Sequence, residues 1–445
     1  MLRDYQKEDV DFIKSHDEVG VFNQQRTGKT PTAITAVKDL KTLVVCPASM
    51  IIPWANEWEK WANTPAIPLY GTKSSKEKLI DNWTEGALIV SYDSLKATKR
   101  SDGLIDLILA KNAQAVILDE AHRIKDHKSA NFKAAKRLTR IKKRLALTGT
   151  PAPGKPEDIF GILSFLKPDE YRSYWKFIDK YFIQNKKFGS HGQYTDIGDF
   201  KPNMRQELVK ELDTFCTSRK RKDIMQWLPD KTYIRINLAP SSQQIKYLDE
   251  LTKYFETEHV VTMGTLDRLV RYRQICVDPR VLDLKGASPK TDWILQYLKD
   301  YPETPVLIFS KFTTYLNILS EELIKHNVSH SMITGATSIP DRNANVSQFQ
   351  KGKFNVMLLN IDAGKEGLTL DRAETIIFTD KYPPIGDIEQ AEDRFIATTE
   401  AKKDKPHTII ELCIRNSYDE IIYDLLEQRK TATDVINDFK NYIRR

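Results

Sequence analysis

A chain of 445 residues, 40% hydrophobic and 29% charged, exceeds what one ordinary core holds and has the apolar content of a globular protein, so two or three domains are expected. Its 68 basic and 61 acidic residues leave a net charge of +7, which suits a polyanionic partner without identifying one. The four scattered cysteines (Cys46, Cys216, Cys276, Cys413) form no CxxC pair, the charged opening MLRDYQKEDV is unlike a secretory signal, and no apolar run approaches the roughly 20 residues of a membrane helix, which argues against a disulfide framework, a zinc site, secretion and a membrane partner.

Leu2 to Lys14 (LRDYQKEDVDFIK) places Leu2, Tyr5, Phe12 and Ile13 on one helical face, with Asp9 interrupting the stripe. Gln6 offers a donor and an acceptor together, the pattern that matches an adenine edge; a solvated helix glutamine is the other reading. The apolar run Val19 to Phe22 then leads into NQQRTGKT, Asn23 to Thr30, with a helix expected from Thr32 to Leu40. Strand, loop and helix around Gly-Lys-Thr is the setting for phosphate binding, because backbone N–H groups and a helix N-terminus face the anion. Lys29 then meets the β- and γ-phosphates, Thr30 meets Mg²⁺, Gly28 permits close approach, and Arg26 and Thr27 complete the loop. Asn23 stands where the first glycine of GxxxxGK[ST] is expected.

Short apolar runs follow at 42–46, 87–90, 115–118 and 145–147, separated by helical stretches. That alternation predicts a parallel sheet covered on both faces, with ligands at the carboxyl ends of its strands. The helix Ile51 to Trp61 bears Trp54, Trp58 and Trp61 on one side, read as core. Ala115 to Leu118 ends in Asp119-Glu120-Ala121-His122, which brings two carboxylates to one strand end. Asp119 suits a Mg²⁺ shell, and Glu120 suits polarising the water that attacks a γ-phosphate.

Gln6, Gly28-Lys29-Thr30, DEAH at 119–122 and TGTP at 148–151 resemble, in that order, the motifs of helicase superfamily two. LDEAHRIK (Leu118 to Lys125) and VVCPASMIIPWANEWEKW (Val44 to Trp61) are similar to segments of Snf-type, chromatin-remodeller-like DNA translocases. The resemblance implies an α/β protein of two RecA-like parallel-sheet lobes with a mainly helical insertion between them, at 1–151, 287–445 and 152–286. It implies ATP and Mg²⁺ as cofactors, His122 and Thr148 to Pro151 as a relay, and DNA, duplex or forked and not read by sequence, as the partner. DNA contacts are then expected from Ser49, Ser91, Tyr92, Arg123, Ser310, Lys311, Thr334, Gly335 and Asn360, whose hydroxyls, amides and cations suit phosphate oxygens.

From Ala152 to Lys290 the alternation lapses. Asp158 to Leu166 and Tyr171 to Phe182 read as aromatic helices, and Asn185 to Asn203 as a mobile, Gly-rich loop. Arg219-Lys220-Arg221-Lys222 reads either as a DNA-phosphate contact or as a solvated basic cluster. RKRKDIMQWLPDK, SSQQIKYLDEL and LVRYRQICVDP resemble the segments that Snf-type proteins place between their lobes. Alternation resumes with strands at 306–309, 332–333, 356–359 and 375–378.

DAGKEGLTL (Asp362 to Leu370) resembles the family's coupling segment, with Gly364 and Glu366 expected near ATP. EQAEDR resembles the start of the arginine-finger motif, which makes Arg394 the expected finger. The family's second arginine is replaced by Ala397, and Arg26 stands at a usual glycine. Ile421 to Arg429 and Ala432 to Tyr442 are expected as closing helices. The expected activity is an ATP-dependent translocase or helicase on double-stranded or forked DNA, hydrolysing ATP in a cleft between two lobes. An ATP-gated DNA clamp with weak hydrolysis and a strand-separating DNA or RNA helicase are the alternatives. The expected setting is the cytoplasm of a bacterial or phage-infected cell, with replication or recombination proteins as possible partners.

Overall fold

A computed structural model describes residues 2–96, 103–153, 155–189, 192–225, 231–257, 265–364, 368, 370–381, 388, 391–392, 407–417, 419–420 and 423. The chain falls into two compact units, Met1–Met225 with Ala432–Arg445 and Gln226–Thr431. The first contains β1 (Glu18–Val21), β2 (Thr42–Cys46), β3 (Ala66–Pro68), β4 (Ala87–Ser91), β5 (Ala115–Asp119) and β6 (Lys143–Leu147). A hairpin of β7 (Phe182–Gly189) and β8 (Gly192–Phe200) follows, then β9 (Cys216–Thr217). Strands β3-β4-β2-β5-β6-β1-β9 form a seven-stranded sheet in that order, every pairing parallel.

Parallel strands buried on both faces need continuous apolar sequence, and TLVVC and AVILD supply it. Successive residues alternate between two cores. Leu43, Val45, Val116 and Leu118 enter one; Val44, Cys46 and Ile117 enter the other with Ile34, Trp54 and Trp58. The helices α1 (Asp4–Ser15), α2 (Lys29–Val37) and α3 (Ile51–Ala62) supply that second layer. Each fully buried Leu, Ile or Val contributes roughly 1.5–3 kcal/mol relative to exposure.

The second unit contains β10 (Thr232–Leu238), β11 (Val306–Ser310), β12 (His330–Ile333), β13 (Val356–Asn360), β14 (Thr375–Phe378) and β15 (Thr408–Ile414). They form a six-stranded sheet in the order β10-β15-β14-β11-β13-β12, again parallel throughout. Leu307 and Phe309 face one core and Val306 and Ile308 the other. The α/β class with two parallel sheets is therefore as the motifs implied.

Two local expectations change. Asn185 to Asn203 is not a loop: it lies largely within the antiparallel pair β7–β8, whose register runs from Phe182↔Phe200 to Gly189↔Gly192. Its base is anchored on the first unit's core by the buried Phe182, with Phe200 and Ile197 packed against that core, and the Phe182 and Phe200 rings lie tilted across the pair with centroids 4.5 Å apart. Strand β15 is an addition to the strands expected from the apolar runs, and it pairs with β10 over its whole length. The segment 152–286 also contributes to both sheets, because β9 joins the first beside β1 and β10 joins the second beside β15. The expected closing helices lie outside the described residues, apart from Tyr423.

Candidate functional site

In the first unit, the carboxyl ends of β1, β6 and β5 lie side by side, with Val21 in register with Leu147 and Leu147 with Asp119. The Gly-Lys-Thr loop, the TGTP turn and the DEAH segment therefore converge. Helix α2 begins at Lys29, and its N-cap Gly28 is left-handed (φ 77°). The left-handed backbone requires glycine there, and a Cβ, 2.2 Å from Gln6 Nε2, would also push the Gln6 amide off the loop. Arg26 is also left-handed (φ 64°), which explains why glycine is usual there and marks stored strain in the loop.

Helix α1 braces this loop. The Tyr5 hydroxyl donates to Thr27 O at 2.8 Å, and Gln6 Nε2 lies 3.4 Å from both Thr27 O and Gly28 O. Gln6 Oε1 accepts from Arg3 N–H at 2.8 Å. The amide singled out for an adenine edge thus holds the loop's backbone in this structure. Lys29 Nζ donates to Asn23 O (2.9 Å) and Gln24 O (3.2 Å), which aims the ammonium across the mouth of the loop. Gln25 Nε2 is buried and has no hydrogen-bond partner among the described residues, and a Cβ on Gly149 would lie 3.2 Å from it.

The carboxylates come next. Asp119 is 9% exposed, and burial first, then the charge of Glu120, raise its pKa from 3.8 to about 7. Trp54 Nε1 donates to its Oδ2 at 2.7 Å and, with Lys29, acts in the opposite direction. Glu120 adopts a left-handed backbone (φ 48°). Its Oε2 is buried, makes no hydrogen bond among the described residues, and lies 3.4 Å from His122 Nδ1. His122 Nδ1 in turn lies 3.1 Å from Thr148 Oγ1, which accepts from Thr150 N–H at 3.1 Å. DEAH and TGTP are thus joined through side chains. Hard oxygens at Asp119 and Thr30, a helix N-terminus and an ammonium fit a Mg²⁺–triphosphate. Among the described residues no group of three or more His, Cys, Asp or Glu could hold a metal unaided.

The expected DNA-contact residues divide by environment. The Ser91 hydroxyl accepts from Ser94 N–H at 3.2 Å and caps a short helix, and the buried Tyr92 hydroxyl donates to Asp119 O at 2.8 Å. Both shape the first sheet's strand ends from within. Ser49 lies in the turn after β2, and Arg123, half-buried, just beyond Glu120.

In the second unit, Ser310 is fully buried and donates to Asp380 Oδ1 at 2.7 Å. Asn360 Nδ2 donates to Lys311 O and Thr313 Oγ1, both at 3.1 Å. Lys311 is half-exposed and ion-paired to Asp362 at 2.6 Å. Thr334 Oγ1 accepts from Ala336 N–H at 3.3 Å, and Gly335 is exposed, with open space around the position a Cβ would take. Ser310, Lys311, Thr334, Gly335 and Asn360 share one edge, because β11, β13 and β12 are neighbours. Gly364 ends the short helix Ile361–Gly364, whereas Glu366, Arg394 and Ala397 lie outside the described residues.

Several residues gain a role at the site that their local sequence does not announce. Trp54 belongs to the core, as its helical stripe implies, yet its indole N–H also grips Asp119. The rule that a buried indole seeks a polar partner points that way. Asp9 and Asp380 are buried acids that organise loops; the break in the apolar stripe of α1 puts Asp9 on the covered face, whereas nothing in the local sequence marks Asp380.

The SNF2-related domain model matches residues 5–281 and the helicase conserved C-terminal domain model residues 289–396. An uncharacterized ATP-dependent helicase of Mycoplasma genitalium is 26% identical over 99% of this chain and 43% of its own length. The DNA annealing helicase and endonuclease ZRANB3 of Homo sapiens is 25% identical over 97% of this chain and 40% of its own. The chain thus spans about two fifths of the length of these curated relatives. A solved Sulfolobus solfataricus SWI2/SNF2 ATPase core in complex with dsDNA is 23% identical, with a TM-score of 0.43 over 98% of this chain and 93% of that one. With the first model matched over well more than half of its residues, the chain belongs to the SNF2-related family.

Proposed function

We propose that the chain is an ATP-dependent DNA translocase or helicase moving on double-stranded or forked DNA. The observation that supports this best is the convergence of the Lys29 loop, Asp119-Glu120 and Thr148 at three adjacent strand ends. The loop's N–H groups and Lys29 bind the β- and γ-phosphates. Thr30 and Asp119 hold Mg²⁺, which when bound neutralises phosphate charge. Glu120 accepts a proton from the attacking water. Arg26 and Thr27 flank the phosphates, and Gly364, Glu366 and Arg394 act from the second unit, Arg394 as the finger on the γ-phosphate. His122, through Thr148, passes the nucleotide state to the TGTP turn. DNA phosphates are met by Ser49, Arg123, Lys311, Thr334 and Gly335, with Ser91, Tyr92, Ser310 and Asn360 shaping those strand ends. The names of the relatives, an ATP-dependent helicase and a DNA annealing helicase, support this reading.

Lys29→Ala and Glu120→Gln should each lower DNA-stimulated ATP turnover on the order of 10²–10³-fold in a folded protein. Turnover should be measured with no nucleic acid, single-stranded, duplex and forked DNA, and RNA. Undiminished turnover in either variant contradicts the site. DNA binding without stimulated turnover favours an ATP-gated clamp, the reading motivated by Ala397. Displacement of a labelled strand, compared with displacement of a triplex, separates unwinding from translocation. Replication or recombination proteins are proposed as partners, and a bacterial or phage-infected cytoplasm as the setting. Among the described residues no helix is long and apolar enough to cross a membrane.

A further inference from the structure

Three oddities of the sequence meet at one point. Asp9 breaks the apolar stripe of α1, Asn23 replaces the expected glycine of the phosphate loop, and Arg219 opens the basic run after β9. Asp9 and Asn23 are each 1% exposed. Asn23 Nδ2 donates to Asp9 Oδ2 at 2.8 Å, and Arg219 Nε donates to Asp9 Oδ1, also at 2.8 Å. Arg219 Nη2 reaches Glu8 at 2.9 Å, and Thr217 Oγ1 donates to Asn23 Oδ1 at 3.5 Å.

The backbone continues the same zipper. Phe22 N–H donates to Thr217 O at 2.8 Å, and Gln24 N–H to Arg219 O at 3.0 Å. Arg221 N–H then donates to Gln24 Oε1 at 2.7 Å. Pairing begun by β9 against β1 therefore runs past the strand's end and along the phosphate loop itself.

A buried carboxylate is retained only where charge-assisted donors satisfy it, and each such bond is both short and directional. Asp9 has one donor from the loop and one from the 217–221 segment. Its carboxylate therefore fixes where Asn23 begins the loop, and with it Asn23 O, on which Lys29 Nζ rests. We propose that Asp9, Asn23 and Arg219 form a polar lock that positions the phosphate loop for the nucleotide. Asn23 is then a working replacement for glycine: rigidity that a tight glycine turn supplies elsewhere comes here from side-chain bonds. Arg219 serves the nucleotide loop rather than a DNA phosphate. The lock rests on the ATP-site reading above and deepens it.

The test measures binding of Mg-ATP to the full chain by calorimetry beside the melting temperature of each variant. Asn23→Ala leaves the Asp9–Arg219 pair intact, so α1 stays docked and only the loop's anchor is lost. It should weaken binding on the order of tenfold, the worth of one charge-assisted hydrogen bond, with little change in melting. Asp9→Asn should weaken binding at least as much. The exchange Asp9→Asn/Asn23→Asp keeps an amide-to-carboxylate bond with donor and acceptor traded, and should recover most of the loss. A wild type without ATP affinity overturns the ATP-site reading. A wild type that binds ATP, with Asn23→Ala binding equally well or with an exchange variant no better than Asp9→Asn, overturns the lock and leaves the ATP site standing.

Discussion

The chemistry at β5's end is set by one buried acid whose neighbours disagree about its charge. Desolvation and Glu120 favour the protonated form of Asp119, whereas Trp54 and Lys29 favour the carboxylate. In the proposed site Asp119 would ligate Mg²⁺ as the carboxylate, so on that reading affinity for Mg-ATP should fall as pH drops through about 7, with proton release on binding. Stability takes the opposite direction. Between 3.8 and about 7 the folded protein keeps a proton that the unfolded chain has given up, so the nucleotide-free protein should lose stability as pH rises through that window. Melting of wild type and Asp119→Asn across this range checks it; parallel curves contradict it. Trp54→Phe removes a donor while filling much of the same space. It should lower ATP turnover on the order of tenfold at neutral pH and move the pH midpoint upward. A turnover profile that overlays wild type dismisses the indole's role.

At the scale of elements, the second unit depends on a buried ion pair between a helix and two strand ends. Arg273, in the helix Thr265–Val277, donates to Asp380 Oδ2 at 2.9 Å, with the two side chains 3% and 1% exposed. Asp380 Oδ1 also accepts from Ser310 Oγ, Lys311 N–H and Thr379 Oγ1. One acid thus ties that helix to the ends of β11 and β14, where DNA contact is proposed. Removing one partner of a buried pair strands the other, so Arg273→Met should destabilise the second unit by about 3–5 kcal/mol. Urea denaturation followed at that unit's Trp293 would show it, and an unshifted midpoint would refute it. The hairpin β7–β8 teaches the converse lesson. Its glycines and polar residues signal a loop, but Phe182, Ile197 and Phe200 tie the paired strands to the first unit's core, a contact the local pattern does not announce.

For the whole molecule, two units with separate cores and a net charge of +7 frame the proposed interaction with DNA. Duplex affinity measured against salt should fall along a straight line in logarithmic coordinates, because each neutralised phosphate releases counterions. A flat line would speak against a surface that tracks phosphates. Lys311→Ala should make that slope shallower by about one contact, whereas Arg219→Ala, if its guanidinium is committed to Asp9 and Glu8, should leave it unchanged.

Both sheets, and the meeting of the Gly-Lys-Thr loop, Asp119-Glu120 and Thr148 at neighbouring strand ends, were legible in the chain itself. Runs such as TLVVC, AVILD and VLIFS have only one comfortable place, between two helical layers, and Gly-Lys-Thr or Asp-Glu after such a run falls at a strand end by covalent necessity. Local order along the backbone was enough for that. Which side chain satisfies which was not, since the partners are distant in sequence: Trp54 and Asp119 are 65 residues apart, Asp9 and Arg219 are 210, and Arg273 and Asp380 are 107. Tertiary packing alone decided that Tyr92 and Ser310 turn inward and that the Arg219 guanidinium meets Asp9, because burial drives most polar groups to whatever donor or acceptor the fold has brought near.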